Sequence, residues 1–280
     1  HAPELDEPGK RDTLAAMTFG YSPAMLEHIL DEALIWALRR GDDRLDWDDV
    51  HQAKMTEEIG LGQKVSYTEA ERRTIATHES GHATVAWLVG RSRKLEVLSI
   101  IKRRDALGLL AHSELEERFT KTHSEIIILI QIAMGGIVAE ELFFGETSTG
   151  VAGDLQAATS AAAQMIGTFG MAGSLLSYEA VATPSGNLVA KVTSTDEGRA
   201  AIEQILKDSH EEVRKLLGAN RHLVEVLRDA LLDRDELVGD EIVDVLTAAD
   251  GKATAPVEPP KPTNGGMPNA RGTDLPLAKE

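Results

Sequence analysis

His78-Glu79-Ser80-Gly81-His82 lies inside a stretch, about residues 68 to 89, that carries every local mark of a helix. Thr68 with Glu71, or Ser66 with Glu69, supplies a capping-box start, and Gly90 supplies a stop. Between them Ile75, His78, His82, Val85, Ala86 and Val89 fall on one face, so both imidazoles are expected to point inward. Side chains at i and i+4 stand one above the other on a helix, close enough to bind a single zinc ion. The carboxylate after the first histidine can then take a proton from a metal-activated water. The pentapeptide alone is a weak signal, and a helix with two satisfied buried histidines has the same local look. Its surroundings carry the reading.

The 280 residues are enough for two domains with real cores, and aromatics make up only 4% of them. Long amphipathic runs predict a mainly α protein, a small helical bundle followed by a helix-rich domain with a small β-sheet. A formal net charge of −17 opposes binding to nucleic acid or anionic lipid through a basic face. With no cysteine there is no disulfide framework, and any metal site must use histidine and carboxylate ligands. The longest apolar run, Ile126 to Ala139, is short and glycine-interrupted for a bilayer span, and no signal peptide is visible, so a soluble chain is expected. The first residue is histidine, which fits a processed or truncated chain.

Residues 1–12, rich in Pro, Glu and Asp, read as a linker or broken end. A helix is predicted from Ser22 or Pro23 to Arg40 with Gly41 as its stop, and a shorter one from about Asp46 to Glu58. After the histidine helix, residues 95–101 and 107–112 read as two strands joined at Arg103, Arg104 and Asp105. Thr122 with Glu125 caps a helix to Phe144, closed by Gly145, and the loop Glu146 to Gly153 leads to a helix from Asp154 to about Phe169. Residues 174–194 look irregular. Helices follow at about 195–218, 220–232 and 240–249. The tail from Gly251 holds six of the ten prolines and reads as disordered. His112 and His123, at a strand end and a helix start, read as surface histidines.

A hydrolytic zinc site needs a third protein ligand and an open position. Val85 and Leu88 exclude the metzincin pattern, which needs glycine and histidine there. A glutamate from a separate downstream helix is not offered by Glu96, in a predicted strand, or by Glu114, Glu116 and Glu117, in a turn. Asp154 follows Ser148-Thr149-Gly150-Val151-Ala152-Gly153 at a predicted helix start, where an aspartate taken by itself is more often a plain N-cap than a ligand.

His78–His82, then Gly135-Gly136 with Ala139-Glu140-Glu141, then Ser148-Thr149-Gly150 with Asp154-Leu155 and Ala158-Thr159, together resemble the peptidase domain of the FtsH family of ATP-dependent zinc proteases. Thr18-Phe19-Gly20-Tyr21-Ser22, Leu26, Asp31-Glu32-Ala33 and Ala37-Leu38-Arg39-Arg40 are similar to the helical lid that ends the family's AAA module. Ala106-Leu107-Gly108 looks like part of its substrate-facing strand, and Arg214 to Leu246 resembles its C-terminal helices. The likeness implies a lid at 13–64, a zinc metallopeptidase domain at 65–249 and a disordered tail at 250–280. It also implies one Zn2+ held by His78, His82 and Asp154, with Glu79 as general base. A glutamate supporting a zinc histidine maps to Glu140 or Glu141, with Glu140 slightly favoured.

The resemblance further implies a zinc-dependent endopeptidase, working in a homo-hexamer on unfolded polypeptides delivered by an AAA ATPase module, on the cytoplasmic side of a membrane if an anchor is present. No G-x-x-x-x-G-K-[ST] loop occurs in these residues, so the chain itself is not expected to bind or hydrolyse ATP. Pro23-Ala24-Met25 replaces the family's Gly-Ala-Asp in the lid, which puts nucleotide sensing there in doubt. Ser80 replaces its usual alanine, a small change expected to face away from the metal. The competing class is a helical assembly or interaction module whose metal site is structural or absent, and a zinc hydrolase of small molecules is a second rival.

Overall fold

The computed structural model describes residues 10–18, 20–63, 65–103, 106–115, 119–180 and 187–251. The expectations for residues 1–9, for Phe19, Arg104, Asp105, Glu116 and Glu117, and for the tail 252–280 lie outside the described residues. The protein is mainly α with a small three-stranded antiparallel sheet.

Three helices come first: α1 (Lys10–Met17), α2 (Pro23–Arg40) and α3 (Trp47–Ile59). Helix α1 begins at Lys10, inside the segment expected to be linker. Ser22 caps α2, proline takes its first position, and Gly41 ends it in the left-handed conformation at φ 89°. Asp46 and Asp49 form a reciprocal capping box on α3. Helices α2 and α3 need each other, and they bury Ile29, Ala33, Val50 and Ala53 between them.

The second and larger core is organised by α4 (Glu69–Val89) and α5 (His123–Phe144). Both start where the sequence places them, on the Thr68–Glu71 and Thr122–Glu125 capping boxes. Helix α5 is the middle of the domain, packed by α4, by α6 (Ala152–Gly167) and by α8 (Asp196–Ala219). At 22 residues it has the length and apolarity of a membrane span by composition, beyond the shorter run read from the sequence. The helices packed around it give that apolarity a use in the core. Ile130, Val138 and Ala139 are fully buried there.

The sheet has β1 (Arg93–Ser99) at its centre, β2 (Leu109–Glu114) on one side and β3 (Glu236–Val238) on the other. The strands lie about two residues from expectation, β1 earlier and β2 later in the chain, and Glu96 bulges out of their register between Leu95 and Val97. Strand β3 was not anticipated. It follows α9 (Arg221–Arg234), which ends on Asp235 at a left-handed φ of 63°. The Asp235 carboxylate pairs with Arg72 of α4, and its carbonyl accepts from the Ile100 amide, so the turn is held from two sides. The region expected to be irregular, 174–194, contains the short helix α7 (Leu188–Thr193), capped by Asn187. Helix α10 (Asp240–Asp250) closes the described chain against α9 and β1.

Candidate active site

His78 and His82 lie one turn apart on the buried stretch of α4, with ring centroids 4.7 Å from one another. Their Nε2 atoms are 3.0 Å apart. Asp154 Oδ2 stands 3.0 Å from His78 Nε2 and 3.4 Å from His82 Nε2. Among the described residues this is the cluster of three side chains able to hold a metal ion.

The far sides of the rings are fixed as well. His78 Nδ1 is 2.7 Å from Glu140 Oε1, and His82 Nδ1 is 2.6 Å from the Ile132 carbonyl. Both partners only accept, so each Nδ1 carries the hydrogen and each Nε2 is left to face the cluster. The Gly136 amide also approaches His82 Nδ1, at 3.2 Å, but the shorter carbonyl contact decides the tautomer. Three lone-pair atoms thus converge with one negative charge. Tetrahedral zinc with nitrogen and oxygen ligands at about 2.0–2.1 Å would set its ligand atoms roughly 3.3 Å apart. The observed 3.0–3.4 Å fits that ion.

The same convergence governs protons. Burial disfavours a charged His78, but the hydrogen bonds to Asp154 and Glu140 outweigh it and raise its pKa to about 10. Burial pushes Asp154 upward, and the two histidines more than reverse this, holding its carboxyl far below the ordinary range. A cation in the cluster would take the place of the proton that His78 otherwise keeps.

Asp154 is not a helix cap. Helix α6 begins two residues before it, and Val151 at the cap position makes no side-chain capping bond. The Asp154 carboxylate is therefore free to turn back toward α4. The loop that delivers it is anchored at Ser148, whose amide and hydroxyl both donate to Glu140. Glu141, the other acidic neighbour, faces away and binds His210 and Arg214 instead.

Glu79 points into a cleft of about 910 Å3 that also exposes His78, His82 and Asp154. Burial raises its pKa above that of an ordinary glutamate, with the two histidines opposing. Gly108, just before β2, passes directly over it, where a Cβ would meet Glu79 Oε1 at 2.6 Å. Glu96 and Glu114, considered and set aside as ligands, are engaged elsewhere, with Ser113 and with Arg93. Ser80 is buried in α4 with an unpartnered hydroxyl, outside the cluster.

Read from the sequence, Gly135 and Gly136 have no role in the site beyond the resemblance they carry, and His112 lies on the surface. Gly136 gives the imidazoles their room, since a Cβ there would lie 2.5 Å from His78 Nε2 and 2.6 Å from His82 Nε2. Gly135, beside it, lets the α5 backbone approach Gly81 of α4, where its own Cβ would meet the Gly81 carbonyl oxygen at 2.8 Å. Two adjacent glycines cost a helix about 1 kcal/mol each, and their presence in an otherwise apolar helix was the available signal for a close approach. His112 is no surface histidine. It lines the cleft, and burial together with Arg93 and His82 lowers its pKa to about 4. His123 is exposed, as expected.

Gly136→Ala should therefore empty the site without unfolding the protein, because alanine is the better helix former but its methyl group occupies the space of the ligand nitrogens. Zinc content per chain is expected to fall about tenfold or more, with the helical circular dichroism kept. Stoichiometric zinc in that variant would refute the steric account.

Residues 65–245 match the profile of peptidase family M41. The ATP-dependent zinc metalloprotease FtsH of Cupriavidus metallidurans is 31% identical over 274 residues, covering 94% of this chain and 40% of that protein. FtsH 3 of Conexibacter woesei is 34% identical over 260 residues, with 90% and 34% covered. FtsH of Bacillus subtilis is 29% identical over 249 residues, with 85% and 39% covered. The chain spans less than half the length of each of these relatives.

Proposed function

The chain belongs to peptidase family M41, and on that premise we propose that it is a zinc-dependent endopeptidase for unfolded polypeptides, with Glu79 as its general base. One observation carries the reading: His78, His82 and Asp154 converge at ligand spacing in a cleft where Glu79, the residue after His78, is buried beside them and is not part of the cluster. Zinc bound by those three residues supplies Lewis acidity and lowers the pKa of a coordinated water.

Glu79 takes the proton from the attacking water and returns it to the leaving amide nitrogen. Glu140 keeps the His78 ring oriented, and the Ile132 carbonyl does the same for His82. Strand β2 runs along the cleft, and its outer edge has no strand partner among the described residues. An extended peptide laid on that edge would be held by main-chain hydrogen bonds, which tolerate many sequences.

A folded domain must lose several kcal/mol of stability before it can enter as a strand. We assign that work to an AAA ATPase module, with α1–α3 as the end of its lid. The relatives are named ATP-dependent, and this supports the assignment. A hexameric ring at the cytoplasmic face of a membrane completes the proposal by resemblance. Zinc-loaded chain should cleave denatured casein without ATP, stop when a chelator removes the metal, and recover when zinc is returned. A stably folded substrate should survive the same incubation. Intact casein under these conditions would remove the peptidase reading.

A further inference from the structure

His112 has no part in the chemistry above, yet it lines the same cleft. It stands on β2 opposite Leu95 of β1, and Arg93 Nε donates to its Nδ1 at 2.7 Å. A guanidinium has hydrogens and no lone pair to offer, so Nδ1 must be the accepting nitrogen and Nε2 must carry the hydrogen. The tautomer is thereby fixed from behind. Nε2 has no hydrogen-bond partner among the described residues. Nor is it sealed in the interior, where the partnerless side-chain polar atoms are those of Trp36, Ser80, Thr84 and Thr247.

The same cleft is lined by apolar side chains too, among them Leu110 of β2 and Leu129, Ile132 and Ala133 of α5. A cleft with apolar lining and an N–H donor left without a protein partner has the form of a side-chain subsite. The ring is neutral near pH 7, so it offers a hydrogen bond and not a charge. Asp154, Glu79 and Glu140 make the cleft acidic, which disfavours a substrate carboxylate. What remains is a neutral acceptor on an apolar stem.

We infer that His112 is a specificity-determining residue, whose Nε2–H selects peptides that place a glutamine side chain against the β2–α5 wall of the cleft. The glutamine methylenes lie on Leu129, Ile132 and Ala133, and its amide oxygen accepts from Nε2. The inference rests on the peptidase reading above and adds to it a preference at one substrate position.

The test uses the zinc-loaded 280-residue chain and unfolded peptides that differ only in carrying Gln, Leu or Glu at each position around the scissile bond. At one position Gln should be preferred over Leu by about 5- to 10-fold in kcat/KM, the effect of one hydrogen bond, read in KM more than in kcat. In His112→Phe, which keeps a ring and removes the donor, that preference should vanish or reverse. His112→Gln, which keeps a donor, should retain part of it. A damaged fold lowers all peptides together and leaves the ratio untouched. Absence of a glutamine preference in the wild type, or its persistence in His112→Phe, would overturn the role of His112 alone. Failure of the wild type to cleave any peptide would overturn the peptidase reading and this inference with it.

Discussion

Glu79→Gln is expected to leave zinc bound and the fold intact while lowering peptide hydrolysis by about a hundredfold or more, the usual range of general-base catalysis. Glutamine has nearly the shape of glutamate, so the space beneath Gly108 stays filled and the α4 backbone is undisturbed. None of the three converging ligand atoms belongs to Glu79, so its carboxylate can be neutralised without removing a ligand. What disappears is the carboxylate beside the ligand cluster that can accept a proton and give it back, since Glu140 is held by His78 and Ser148. Metal analysis beside a peptide assay separates the two contributions. A variant that keeps more than a tenth of the wild-type rate would end the general-base role, and one that loses its zinc would mean that Glu79 helps to hold the ion.

Asp154→Asn should lose both zinc and hydrolysis, each by about tenfold or more. Had the residue been a helix cap, asparagine would have served as well, since the two rank alike at that position. Helix α6 starts before it and takes no side-chain capping bond, so capping gives no reason for a loss. The change replaces an anionic oxygen with a weak neutral one, and two neutral imidazoles with an amide hold a divalent cation poorly. It also strips His78 of the negative partner at 3.0 Å that helps to raise its pKa. Normal zinc occupancy with normal turnover would leave a two-histidine motif and remove the third ligand.

Local signals made some parts of this fold legible and left others dark. Helices α2, α4 and α5 start and stop within a residue of expectation because caps and glycine stops are written in adjacent residues. Strand β3 is three residues long and exists only because β1 pairs with it from more than 130 positions away, as in Val97 with Val238. No window of sequence contains that information. His78, Glu79 and His82 were readable from spacing on one helix. Asp154 was not, because its reading depends on where α6 begins and on how α6 meets α4, both set by packing. Between Glu140 and Glu141 the helix phase held an unused clue. Glu140 is one turn beyond Gly136, whose missing side chain faces the two imidazoles, whereas Glu141 is turned about 100° away around the axis.

Glu140 does more than orient a ring. One carboxylate binds His78 on α4 and both the amide and the hydroxyl of Ser148, at the head of the loop that delivers Asp154. The loop is therefore tied down by a bond that involves no metal. Its entropy of closure is lost when the chain folds, and not when the ion arrives. The cavity is waiting rather than assembled on demand, so metal affinity here reports the ligands themselves. Cutting the tether would convert a rigid receptor into one that must order a loop each time it is filled.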